Sequence, residues 1–229
     1  MRVAITGANR GIGLEFARQC LDRGDEVWAG VRAPERAVEL EHLAGPSGSP
    51  PHVVALDVNQ PASVRAFARA LGDAALHLLI NNAGVTGLRL NALALAEADD
   101  VLHTLAVNAV GPLRVTQALL PALRVGKAKV IHVSSALGSI SDNRDGGSYG
   151  YRMSKAALNM LARTMAAELR REQIVTALLS PGWVQTGMGG PDAPTPVDAS
   201  VRGMLRVIDS LTLAKSGGFF DTRGDRLRF

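Results

Sequence analysis

The hydrophobic positions of this chain fall into short apolar runs separated by stretches in which they recur every three or four residues. Residues 2–6 form such a run, closed by a glycine-rich turn, after which Ile12, Phe16, Ala17, Cys20 and Leu21 recur at helical spacing up to Gly24. The pattern predicts strand, turn, helix, and the unit repeats. Further strands are expected over 26–31, 52–56, 76–81, 128–133, 174–179 and 218–220, and further helices over 34–44, 61–71, around 97–123, from about 150 to 171 and near 198–211. Runs such as Leu78-Leu79-Ile80 show no polar alternation, which suits strands buried on both faces. Alternating strands and helices with no long polar linker predict one doubly wound α/β domain with a parallel sheet. The Pro/Gly/Ser segment 44–51 and the Gly/Pro-rich segment 187–196 read as loops.

Composition narrows the class. A chain of 229 residues folded as one domain buries roughly 70–75% of its unfolded surface and needs no disulfide or metal to hold a core. The single cysteine cannot form an internal disulfide, and no Cys/His cluster has zinc-ligand spacing, so no metal is expected. No segment approaches the roughly 18 apolar residues of a membrane span, and no long apolar signal core precedes the first glycine, so the expectation is a cytoplasmic protein. Lys and Arg total 25 against 21 Asp and Glu, a net charge of +4, and the isoelectric point is 9.7. Nucleic-acid binding needs that charge clustered. Here Arg170-Arg171 is the only adjacent pair and aromatics for base stacking make up 4% of the chain, so no nucleic-acid partner is expected.

The turn after the first strand reads Thr6-Gly7-Ala8-Asn9-Arg10-Gly11-Ile12-Gly13. Glycines at a strand-to-helix turn let the backbone approach a pyrophosphate, and the N–H groups and dipole of the helix start favour its charge. The Gly-x-x-x-Gly-x-Gly spacing departs from the general dinucleotide fingerprint and by itself fits a tight packing turn equally well. Its place between first strand and first helix favours a dinucleotide. An acid at the tip of the second strand would select NAD, whereas arginine accommodates the 2′-phosphate of NADP. That strand ends Gly30-Val31-Arg32-Ala33 with no acid, and Arg10 lies inside the turn. Two guanidinium groups flanking one phosphate make NADP(H) the expected cofactor.

Tyr151 and Lys155 are four apart at the opening of the long helix and share a face that continues with Leu158, Ala162, Met165 and Leu169. An ammonium on an apolar face suggests a purpose. A phenol titrates near ~10 and is a slow proton donor at neutral pH, and neighbouring positive charge should move it toward the operating range. Tyr149 pairs with Met153, offers no cation, and reads as a wall of the cleft. Ser134 and Ser135 follow the fifth strand, at the end of the sheet where open α/β folds bind ligands. A hydroxyl there could hydrogen-bond a substrate carbonyl together with Tyr151, or simply cap a turn.

With Asp57-Val58, Asn81-Asn82-Ala83-Gly84, Asn108 and Pro181-Gly182-Trp183-Val184-Gln185-Thr186, these motifs occur in the order that resembles the short-chain dehydrogenase/reductase family over essentially the whole chain. Within it, 147–160 and 181–186 resemble the C-factor group and the sniffer-type carbonyl reductases. The resemblance implies a single Rossmann domain over 1–229, with a mostly parallel seven-stranded sheet flanked by helices and a substrate loop around 187–197. It implies an NADPH-dependent oxidoreductase acting on a carbonyl or alcohol. Tyr151 would be the general acid or base, Lys155 would hold the nicotinamide ribose, Ser135 would position the carbonyl, and Asn108 would anchor a water of the proton relay. Gly7, Asn9, Arg10, Gly11, Ile12, Gly13 and Arg32 would hold the phosphates, Asp57 and Val58 would meet the adenine, and Asn81, Ala83 and Gly84 would line the cofactor cleft. Pro181, Gly182, Val184 and Thr186 would hold the carboxamide.

Two departures stand out. Ser135 and Tyr151 are 16 apart, a longer spacing than is common in the family, so 139–147 forms an extended polar loop. It leaves open which serine reaches the substrate, with Ser135 preferred because Ala136-Leu137-Gly138 follows it. The C-terminal segment is short for the family, which leaves a homodimer and a homotetramer both open, with helical faces around 97–123 and 156–170 as the candidate surfaces. Trp183, Met188, Leu137, Ile140, Leu88 and Leu90 are placed as apolar walls or as core and lid residues. A rival reading is a signalling or regulatory protein that binds NAD(P) in the manner of the C-factor group.

Overall fold

A computed structural model describes residues 1–46, 48–88 and 93–229. Seven strands, β1 (Arg2–Thr6), β2 (Glu26–Val31), β3 (His52–Ala55), β4 (Leu78–Asn81), β5 (Lys129–Val133), β6 (Val175–Leu179) and β7 (Phe219–Phe220), form one sheet. Its order is β3-β2-β1-β4-β5-β6-β7, and every neighbouring pair is parallel. The first six strands have the doubly wound order of a Rossmann fold. Helices α1 (Gly11–Asp22), α2 (Val38–Glu41), α3 (Pro61–Leu71), α4 (Ala98–Leu105), α5 (Gly111–Gly126), α6 (Tyr149–Leu169) and α7 (Val197–Ser210) cover it. No helix among the described residues is long and apolar enough to cross a membrane.

The unbroken apolar runs explain the layers. Side chains of a strand alternate between faces, so Val3, Ile5, Leu78, Ile80, Ile131 and Val133 meet Phe16 and Leu21 of α1 and Met204 and Ile208 of α7. Ala4, Leu79 and Val130 meet Phe67 of α3, Leu119 of α5 and Met165 and Leu169 of α6 on the other face. A smaller cluster joins Leu158 and Ala162 of α6 to Leu178 and Phe219. Hydrophobic burial on two faces needs two apolar sets on each strand, which is why polar alternation is missing.

One expected helix differs. The helix expected over 34–44 is a 3₁₀ turn (Pro34–Arg36) followed by the single turn of α2. Ala37 and Leu40 are buried and Leu43 packs on the same cluster, while Val38 is exposed and Gly45-Pro46 close the segment to further helix. The helical stretches expected around 97–123 are α4, a π turn (Ala106–Val110) and α5. Pro112 has no N–H to offer the Asn108 carbonyl four residues earlier, and the ladder shifts, closing from the Gly111 N–H to the Ala106 carbonyl. The remaining elements differ from expectation by a residue or two at their ends.

Candidate active site

The glycine turn leaves β1 at the carboxyl end of the sheet. Thr6 Oγ1 accepts the N–H groups of Asn82 and Ala83, both at 3.0 Å. Asn82 Nδ2 donates to the carbonyls of Thr6 and Gly7 at 3.0 and 3.1 Å. The turn is thereby sewn to the end of β4. Gly7 has φ +67° and a Cβ on it would lie 2.9 Å from Ala83 Cα, while a Cβ on Gly13 would lie 2.2 Å from the Gly7 carbonyl oxygen. Only hydrogen fits at either place. α1 starts with no side-chain cap on its first N–H groups, so their partial positive charge faces the cleft. Asn9, Arg10 and Arg32 are exposed and Gly11 and Ile12 half-buried. Arg10 and Arg32 follow paired strands whose ends, Thr6 and Gly30, stand opposite each other.

Asp57 and Val58 follow β3. Asp57 Oδ1 accepts the Asn59 N–H at 2.9 Å, making a local turn rather than a cap of α3, whose first flanking residue is Gln60. Val58 is buried, and a Cβ on Gly111 would strike its Cγ2 at 2.9 Å. Ala83 and Gly84 lie in the segment leaving β4, half-buried. The Asn81 side chain is buried, with Nδ2 3.3 Å from both Thr116 Oγ1 and His132 Nδ1.

The two serines after β5 have different fates. Ser134 is buried and donates to Asn159 Oδ1 at 2.7 Å. Ser135 is half-buried, and its Oγ accepts the Leu137 N–H at 3.2 Å. The first is locked in the interior, and the second keeps its hydroxyl hydrogen available.

Lys155 enters from α6. It is 5% exposed, its Nζ donates to the Val133 carbonyl at 2.8 Å, and it stands 5.5 Å from the centroid of the half-buried Tyr151 ring. Burial brings its ammonium down to about 8. His132, fully buried, is pushed down to about 3 by burial and by the charge of Lys155, so it is neutral. Asn108, in the π turn, has both polar side-chain atoms engaged: Oδ1 accepts the Val85 N–H at 2.8 Å, and Nδ2 donates to the Val85 carbonyl at 2.8 Å and to Ser154 Oγ at 2.9 Å. The side chain itself is therefore a brace between the segment after β4 and α6, and any water it anchors must use its main chain.

Residues 181–195 close over the glycine turn. Pro181 is half-buried and its carbonyl accepts the Ser200 hydroxyl at 2.7 Å. Gly182 has φ +80°, and Val184 is buried and bridged to Thr195. Thr186 Cγ2 would be 3.4 Å from a Cβ on Gly11, so this loop and the turn face each other. The Trp183 indole donates to the Gly189 carbonyl at 2.7 Å. Trp183, Met188, Leu137, Ile140 and Leu88 are all exposed, and Leu90 lies outside the described residues. Tyr149 lines a small pocket with Leu88, Glu97, Asp100 and Gly150, which adds two carboxylates to a rim expected to be apolar.

Sequence reasoning passed over three supporting side chains, Ser154, Asn159 and Ser180, and gave Asn82 only as part of a motif. Asn82 pins the turn, Ser154 meets Asn108, Asn159 holds Ser134 and donates to the Gly138 carbonyl at 3.1 Å, and Ser180 Oγ accepts the Ala136 N–H at 3.3 Å. Asn159 was within reach, being one turn beyond Lys155 on the same face. The others meet partners far away in the chain, and no local pattern announces them. Cys20 is no nucleophile, because burial pushes its thiol up to about 12.

A family model for short chain dehydrogenase matches residues 1–196. The C-signal of Myxococcus xanthus is 56% identical over 164 residues, covering 70% of this chain and 97% of that protein. A solved carbonyl reductase from chicken fatty liver with NADPH bound is 37% identical, with a TM-score of 0.93 over 100% of this chain and 98% of the other. The carbonyl reductase Sniffer of D. melanogaster is 33% identical, also with a TM-score of 0.93, over 100% and 99%.

Proposed function

The chain belongs to the short chain dehydrogenase family, and from that premise we propose that this oxidoreductase is an NADPH-dependent carbonyl reductase, residues 1–229 acting as one cofactor-binding domain with 187–197 as its substrate loop. The single observation that carries the reading is the buried ammonium of Lys155 beside Tyr151, bonded to the end of the strand that Ser135 follows. A buried charge is costly unless a partner compensates it. Lys155 has three donors and one partner among the described residues, the Val133 carbonyl, so two donors remain for hydroxyls of a bound ribose.

The cleft fits NADP(H). The backbone at Gly7 and Gly13 leaves no room for a side chain, the start of α1 is uncapped, and neither Arg10 nor Arg32 has a side-chain partner among the described residues. Gly7, Asn9, Arg10, Gly11, Ile12, Gly13 and Arg32 would hold the phosphates, Asp57 and Val58 the adenine, and Pro181, Gly182, Val184 and Thr186 the carboxamide. When bound, the reduced nicotinamide supplies a hydride. Ser135 donates a hydrogen bond to the substrate oxygen and holds it against Tyr151. Tyr151 gives its phenolic proton to that oxygen as the carbon accepts the hydride, and Lys155 stabilises the phenolate left behind until solvent returns a proton. The product is the alcohol. On this reading Asn108 would anchor a water that passes the returning proton to Lys155.

The test is consumption of NADPH and of NADH with a panel of aldehydes and ketones. Turnover with NADPH is expected, and Tyr151→Phe should reduce it by about 10²–10⁴-fold with NADPH affinity retained. Unchanged turnover in that variant would refute the assignment. The identity with C-signal favours a second reading, a signalling or regulatory role carried by the NAD(P)-bound protein. It predicts that a signalling readout survives Tyr151→Phe while reductase activity does not.

A further inference from the structure

The chain between Ser135 and Tyr151 is held near both ends by side chains of α6 and in the middle by a distant segment of the chain. At one end Asn159 binds the Gly138 carbonyl, and Ser139 Oγ accepts the Asp142 N–H at 3.2 Å. At the other, Arg152 Nε donates to the Gly146 carbonyl at 2.9 Å. In the middle, the Ser141 N–H donates to the main-chain oxygen of Phe229 at 3.0 Å, the Ser141 hydroxyl makes a second bond to the same oxygen, and Arg228 pairs with Asp142 at 2.7 Å.

The tail that makes these contacts is itself anchored to the sheet. The Leu227 N–H donates to the Phe219 carbonyl at 2.9 Å. The Phe229 ring lies 5.8 Å from that of Phe219, with the Arg163 guanidinium 5.4 Å above it. Leu227 and Phe229 complete the small cluster of Leu158, Ala162, Leu178 and Phe219. We infer that residues 228–229 are a strap that positions the Ser135–Tyr151 loop, with Phe229 as a positioning residue that sets the fit of the carbonyl substrate. The loop has three positions with φ between +45° and +69°, Gly146, Gly147 and Ser148, and its middle has few apolar contacts of its own. Without the strap it is free to move Ser135 and the start of α6 relative to each other. The Arg228–Asp142 pair is exposed and contributes little, so the two hydrogen bonds from Ser141 to the Phe229 oxygen and the seating of its ring do most of the holding.

The inference about substrate fit rests on the proposed reductase reading, and the experiment separates the two. Truncation after Leu227 keeps the bond to Phe219 and removes the strap, and Phe229→Tyr keeps both the ring and the main-chain oxygen. Hydrogen exchange over 139–147 is expected to accelerate at least about tenfold in the truncated protein and to stay at the wild-type rate in Phe229→Tyr. With NADPH saturating, the truncated protein should show a carbonyl KM raised several-fold, NADPH affinity unchanged, and recovery in Phe229→Tyr. Unchanged exchange over 139–147 overturns the strap, and faster exchange with an unchanged carbonyl KM overturns its role in substrate fit. If the wild type reduces no carbonyl compound, the reductase reading and the substrate-fit role fall with it, and the exchange rates alone decide the strap.

Discussion

Lys155 carries a charge almost out of water, and two pH effects follow from it. Its ammonium titrates near about 8 in the folded chain against about 10.4 when free. Between these values the folded state holds fewer protons than the unfolded state, so stability rises with pH across that window. Activity should move oppositely, falling as pH rises through about 8 and the ammonium is lost. Lys155→Met is accordingly expected to abolish turnover while raising the unfolding midpoint of the cofactor-free protein at pH 7, measured by thermal melts. A lowered midpoint would show that the bond to Val133 outweighs the burial cost. His132 has the same sign at lower pH. Held near about 3 against about 6.5 when free, it withdraws stability as pH falls from about 6.5 toward 3. His132→Gln should flatten that part of the pH profile in urea titrations. Tyr151 and Lys155 were legible because four-residue spacing puts them on one helical face. His132 was not, because nothing in a strand sequence says which buried polar residue lies under a lysine from another element.

At the scale of elements, the turn after β1 works only because the start of α1 and the end of β4 approach it to atomic contact. A methyl group on Gly13 would overlap the Gly7 carbonyl and lie 2.5 Å from Asn82 Nδ2. Gly13→Ala is therefore expected to cost about 1–3 kcal/mol of stability and to weaken cofactor binding by displacing the turn. Equilibrium unfolding and NADPH titration check both. The π turn makes the same point. Pro112 was visible in the sequence, but a proline near the start of a helix usually marks a permissible first-turn position. Only the tertiary structure, in which α4 and α5 are one continuous rod interrupted at Asn108, makes it the cause of a shifted ladder. The shortening of the helix expected over 34–44 is also an element-scale effect: Ala37, Leu40 and Leu43 pack on the core, yet a stretch this short is marginal as an α-helix.

For the whole molecule, part of the positive charge has a proposed partner. Arg10 and Arg32 follow the paired strands β1 and β2, and on the proposed reading a dianionic phosphate bound between them is expected to stabilise the entire fold through linkage. At about 100 times its Kd, a ligand adds about 2.7 kcal/mol to unfolding. At equal concentrations NADPH should therefore raise the melting temperature more than NADH, and Arg32→Ala should narrow the gap. Equal shifts in the wild type would reject the arginine pair as the source of preference. The sequence by itself determined the alternation of strands and helices, the place of the glycine turn, and the Tyr151–Lys155 face, because each is written in the periodicity of one element. The tertiary structure decided what depends on elements meeting. It turned the Asn81 side chain inward, buried Ser134 and left Ser135 half-buried, gave Asn82 and Asn159 their bracing work, and brought Phe229 onto Ser141. Those choices follow from which buried donors and acceptors can satisfy one another across the packed sheet, and residues far apart in the chain carry no periodic signal of that pairing.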